Sequence, residues 1–113
     1  MTTLKQIIKE VLTKTGLAFA YRHSDISVLP RFSYSLIYNG EIRLSGQTHD
    51  KKPSYQIDYF TRTPVDVESF ELFDTIRNDL KAQNVAVGNW QEQDEYNESS
   101  DFMLFHYYLE CEK

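Results

Sequence analysis

Residues 54–83, SYQIDYFTRTPVDVESFELFDTIRNDLKAQ, constrain the fold more than any other stretch. Tyr55, Ile57, Tyr59 and Thr61 share one side of an alternating segment, and Gln56, Asp58 and Phe60 the other, which is the period of a strand. Thr63-Pro64-Val65-Asp66 then reads as a helix start, with Thr63 as cap, Pro64 at the first helical position and acids in the first turn. Val67, Phe70, Phe73, Ile76 and Leu80 follow at spacings of three and four, one apolar stripe of a helix. Asn84 is placed to take the left-handed conformation that ends it. A strand and a helix joined this closely, each with an apolar face, bury those faces on a common core.

The preceding half supplies a second helix. Thr3-Leu4-Lys5-Gln6 fits a capping box, in which the Thr3 hydroxyl and the Gln6 amide each satisfy an end N–H. Leu4, Ile7, Ile8, Val11 and Leu12 form its apolar stripe, and Gly16 is the terminating residue. Residues 17–21 read as a short strand or an extended connector. His23-Ser24-Asp25 places three catalytic residue types side by side, but a triad converges from separate elements, so a polar turn is expected.

Residues 32–38 alternate, Asn39-Gly40 is a strong two-residue turn signal, and residues 41–46 return, which predicts a hairpin. In that register one face carries Ile37, Ile42 and Leu44. The other carries Phe32, Tyr34, Leu36 and Tyr38 beside Glu41, Arg43 and Ser45. Two partly apolar faces need cover on both sides, within the chain or from a neighbouring subunit. Tyr34, Leu36, Tyr38 and Arg43 are accordingly the residues expected at a subunit interface.

Residues 47–53, QTHDKKP, read as a polar loop, and residues 85–90 as a short strand. Residues 91–101, QEQDEYNESSD, read as an exposed acidic loop whose acids do not fit a calcium-loop spacing. Residues 102–111, FMLFHYYLEC, are apolar on both faces, as in a central strand. His106 within it is expected to be a hydrogen-bonded core or interface histidine. The order helix, hairpin, strand, helix, strand, strand predicts a single α+β domain over residues 1–113, with four to five mostly antiparallel strands packed with two helices.

Composition narrows the function. Twelve Lys and Arg against 17 Asp and Glu give a net charge of −5 without a clustered basic face, which argues against sequence-specific nucleic-acid binding. Eight Tyr and seven Phe favour sheet and buried interfaces. The single cysteine, Cys111, forms no intrachain disulfide and suits a reducing compartment. Neither a signal-peptide pattern nor an apolar run of membrane-spanning length is present. No catalytic, cofactor or metal motif stands out, so neither an enzymatic activity nor a bound cofactor or metal is expected.

The layout as a whole resembles a known family. The N-terminal amphipathic helix, the Pro-preceded strand LPRFSYSLIY, the strand YQIDYFT followed by DVESFELFDTIRNDL, and the closing FMLFHYYLE together look like the tail-terminator or tail-completion proteins of long-tailed bacteriophages and prophages. That resemblance implies a non-enzymatic virion subunit, assembled in the bacterial host cytoplasm into a homo-oligomeric ring, typically of six. Such a ring ends the tail tube, and its implied partners are the tail-tube protein and the head connector proteins. A head-closure neck protein or a minor capsid protein is an alternative of the same class. Alternatives of other classes are a small acidic binding or inhibitor module using Glu92, Asp94, Glu95 and Glu98 against a basic protein surface, or an enzyme using His106 with Tyr108 or Glu110, near Asp58 or Phe60.

Overall fold

The computed structural model describes residues 2–22, 28–38, 41–44, 47–51, 53–97 and 102–113, of which 38, 41–44, 47–51, 94–97 and 102–103 are described as backbone alone. Two helices and eight strands follow in the order α1 (Leu4–Thr13), β1 (Ala18–Tyr21), β2 (Arg31–Tyr38), β3 (Glu41–Leu44), β4 (Gln47–Lys51), β5 (Ser54–Thr61), α2 (Glu71–Ala82), β6 (Ala86–Val87), β7 (Gln91–Asn97) and β8 (Phe102–Glu112). Six strands form one mixed sheet in the order β1-β2-β5-β8-β6, with β7 also paired to β8, while β3 and β4 form a separate two-stranded ribbon. The fold is α+β and mostly antiparallel, β1 and β2 being the parallel pair, with more strands than the hydrophobic pattern indicates.

α1 begins as its sequence dictates. Thr3 N–H donates to Gln6 Oε1 at 2.8 Å and Gln6 N–H donates to Thr3 Oγ1 at 3.2 Å, a complete capping box. Thr3→Ala removes one of these bonds at an exposed helix end and is expected to lower stability by about 1 kcal/mol, read as a shift in the denaturation midpoint.

Both helices lie on one face of the main sheet. Leu4, Ile7, Ile8, Val11 and Leu12 of α1, and Phe73, Ile76 and Leu80 of α2, are buried against Phe32 and Tyr34 of β2, Tyr55, Ile57 and Tyr59 of β5, and Tyr107, Leu109 and Cys111 of β8. The strand register makes these one surface: Ile57 is opposite both Tyr34 and Leu109, and Tyr59 opposite both Phe32 and Tyr107. The alternation expected of β5 and the stripe from Phe73 to Leu80 are both present. Asn84 (φ 62°) and Gly16 (φ 75°) take the left-handed conformation after their helices. β8 is doubly paired, against β5 on one side and β6 and β7 on the other.

Four expectations are corrected. β2 does not turn back onto β3: it lies between β1 and β5, whose apolar residues extend the helix-covered face, and β3 pairs with β4 instead. The Asn39-Gly40 pair itself lies outside the described residues, as does His23-Ser24-Asp25. Residues 47–51 are strand rather than loop, and Gln91–Asn97 is likewise a strand along β8. Both are held by backbone pairing, so they carry no apolar alternation to betray them. Finally, α2 starts at Glu71, not at Pro64. Tyr107 Oη accepts from Val65 N–H at 2.9 Å and donates to Val65 O at 3.2 Å, tying this segment to the sheet. Asp66 then closes a turn, its carbonyl accepting from the N–H groups of Ser69 and Phe70.

Candidate functional site

Opposite the helices, the sheet presents a polar seam. Arg31 and Ser33 of β2, Asp58 of β5 and His106 of β8 lie on this face and are nonetheless buried. Asp58 is 8% and His106 7% exposed. The antiparallel register sets Phe60 opposite His106 and Asp58 opposite Tyr108, so Asp58 and His106 are diagonal neighbours across two strands. His106 Nε2–H donates to Asp58 Oδ1 at 2.7 Å, and the Gln56 amide donates to the same oxygen, also at 2.7 Å. Phe60 stacks on the imidazole, with ring centroids 4.3 Å apart and planes 18° from parallel. Two residues along β8, Tyr108 Oη donates to Gln91 Oε1 at 3.0 Å and so links β8 to β7.

The histidine expected to be hydrogen-bonded and enclosed is therefore both. A paired Asp and His can act as the base half of a nucleophilic site. Here Phe60 covers one face of the ring, and the bond from Nε2 to Asp58 ties β5 to β8. Asp58, and neither Tyr108 nor Glu110, is the side chain hydrogen-bonded to His106 Nε2. Glu110 is exposed at the far end of β8.

A second feature on the same face lies at the rim, where β2 leaves the sheet and β5 enters it. A cleft of about 520 Å³ is lined there by Ile37, Ser54, Val87, Gly88, Glu110 and Glu112, among others. Leu36 and Ile37 are 40% and 45% exposed. A register irregularity falls between Leu36 and Tyr38, and Tyr38 opposite Ser54 is the last pair of the two strands. Glu112 accepts a long hydrogen bond from Ser54 Oγ at 3.4 Å, and Gly88 N–H donates to Glu110 O at 2.9 Å.

The four residues expected at a subunit interface separate. Tyr34 is only 4% exposed, turned under α1 with its ring edge-on to Tyr21 at 5.1 Å, so it belongs to the core. Its expected exposure rested on a hairpin register that the chain does not adopt. Leu36 shares Tyr34's side of β2 but lies near the end of the strand, where it stays exposed. The side chains of Tyr38 and Arg43 lie outside those described; Arg43 belongs to the ribbon strand β3 and is opposite Thr48. Ile37, expected on one hairpin face with Ile42 and Leu44, instead lines the cleft at the register irregularity of β2 on β5 and is 45% exposed.

Cys111 is the one thiol, and it is buried. Burial pushes its pKa from 9.0 up to about 12, and burial foremost also raises the phenols of Tyr34, Tyr55 and Tyr59 above 10.0. A thiol so placed is a packing group, not a nucleophile. Because these groups hold their protons more tightly folded than unfolded, their contribution is complete below about pH 9 and falls away as pH rises toward 12. Denaturant midpoints are expected to drop above about pH 9, and Cys111 to react with a thiol reagent at pH 8 only after unfolding.

Among the described residues no group of three or more His, Cys, Asp or Glu is disposed to hold a metal, and no helix is long and apolar enough to cross a membrane. Neither a protein-family model nor a curated protein matches this sequence.

Proposed function

We propose that the chain is a non-enzymatic structural subunit of a phage or prophage tail, of the tail-terminator or tail-completion type, which works by assembling into a ring at the head-proximal end of the tail tube. The observation that carries this reading is the division of labour in the fold. The helix-covered face is a closed core, while the exposed Leu36 and Ile37, an open cleft and a separate two-stranded ribbon all fall where β2 ends and β5 begins. Exposed apolar groups clustered in this way suit protein contacts. The α+β body with two helices on one face also agrees with the architecture that the family resemblance implies.

A net charge of −5 fits a ring through which DNA must pass without adhering. Partners on this reading are further copies of the chain, the tail-tube protein and the head connector. In a mixture with a phage tail-tube protein from the same source, the purified chain is expected to shorten the tubes and to decorate one end of each. Tubes of unchanged length and bare ends would contradict the proposal, as would tight binding of duplex DNA at physiological salt.

A further inference from the structure

The main sheet ends in two strands whose outer sides are unpaired among the described residues. β1 pairs only with β2, and β7 only with β8. Arg22 N–H donates to Tyr34 O at 2.9 Å, so by strand alternation Phe19 and Tyr21 aim their backbone N–H and C=O groups away from β2. β1 contains no charged residue and no proline, and its register on β2 is unbroken. The outer side of such a strand is a template for another strand.

The two edges carry opposite charge. Residues 14–22, KTGLAFAYR, hold Lys14 and Arg22 and no acid. Lys5 of α1 adds a third cation, its Nζ 3.9 Å from the centroid of the Tyr21 ring. β7 holds Glu92, Asp94 and Glu95 and no base. Lys5, Arg22 and Glu92 are all exposed. β7 against β7 sets acids on acids, and β1 against β1 sets cations on cations. Only β1 against β7 brings unlike charges together.

The directions of the strands agree as well. β7 is antiparallel to β8, β8 to β5 and β5 to β2, while β2 is parallel to β1, so β1 and β7 of one copy run opposite ways. Copies laid edge to edge with their helices on the same side therefore set β1 of one antiparallel to β7 of the next. Lys5 and Glu92 then share the helix-covered side. Tyr21, under Lys5, packs on the core residue Tyr34, and Glu92 is opposite the core residue Tyr107.

We infer that β1 of one copy pairs antiparallel with β7 of a second copy of this chain, which joins the two sheets by backbone hydrogen bonds and sets a basic edge against an acidic one. The inference rests on the ring reading above and supplies its contact surfaces. This is strand addition, in which the main chain gives affinity and the flanking side chains choose the partner. Because two different edges meet, the contact is head-to-tail and can repeat about an axis into a ring.

Charge reversal tests it, read as native mass by light scattering across a concentration series. One chain carries Lys5→Glu with Arg22→Glu and the other Glu92→Lys with Asp94→Lys, so that within each variant β1 and β7 have the same sign. Each variant alone is expected to need at least tenfold more protein to assemble than the wild type. An equimolar mixture is expected to assemble as the wild type does, because β1 of each variant meets an oppositely charged β7 on the other. Both variants are expected to keep the wild-type denaturation midpoint; should either lose its fold, Arg22→Glu and Glu92→Lys singly form the same complementary pair. If each variant alone assembles as readily as the wild type, the ring stands and this interface is overturned. Impaired variants whose mixture does not recover overturn it too. A wild-type chain that is monomeric at every concentration defeats the ring reading and this interface together.

Discussion

Phe73→Ala is expected to destabilise the fold by about 3–5 kcal/mol, the range for truncating a fully buried Phe. Phe73 is fully buried and lies at the centre of an aromatic cluster. Trp90 stacks on it at 3.9 Å with planes 11° apart, while Phe70, Tyr59 and Tyr107 meet it edge-on at 4.8, 5.4 and 5.6 Å. Removing the ring takes the shared partner from four other rings, which belong to the residue that caps α2, to β5, to β8 and to the segment before β7. The surrounding rings are anchored by other bonds, Tyr107 to Val65 and Trp90 Nε1–H to the Phe73 carbonyl at 3.1 Å, so they cannot collapse freely into the space. A site that cannot collapse is at the costly end of the range. Trp90, the one tryptophan, reports the change directly. Denaturant titration followed by its fluorescence is expected to show the loss, and Phe73→Leu to lose appreciably less.

Asp58→Ala is expected to cost about 1–3 kcal/mol, because it takes the Asp58 carboxylate from a buried histidine and from the Gln56 amide, which share one of its oxygens. Most of that cost is the exposure of an unmatched polar partner in a dry setting rather than the worth of the pair itself. Replacing both members with apolar residues, Asp58→Leu with His106→Leu, is therefore expected to recover a large part of the loss. Denaturant midpoints of the two single variants and the double variant form a cycle that measures this. If the double variant lost the sum of what the two single variants lose, Asp58 and His106 would not be coupled. A catalytic role would show differently, as a lost activity with stability unchanged.

Both predictions rest on features that the sequence displays unequally. Phe73, Ile76 and Leu80 announce themselves through helical spacing, and Tyr55, Ile57 and Tyr59 through alternation, because each element buries one face and local period records that. His106 in an apolar strand is visible too, but its partner is not. Asp58 lies 48 residues away and meets it only through the register of β5 on β8. β4 and β7 escape detection for a different reason. Both are polar strands held by main-chain pairing, and nothing in QTHDK or QEQDEYN alternates in hydrophobicity. Tyr34 was placed on an interface by the strong Asn39-Gly40 turn signal. The long-range pairing of β2 with β5, which buries Phe32 and Tyr34 under the helices, prevails over it.

The cleft and ribbon belong to the same illegible class, since each depends on where β2 and β5 part company. The ring proposal draws these pieces together, and it has a direct test. The native mass of the purified chain, measured by light scattering across a concentration series, is predicted to rise to that of a closed ring. For six copies of a 13.3 kDa chain that is about 80 kDa. A mass fixed at that of one chain at every concentration would contradict the account.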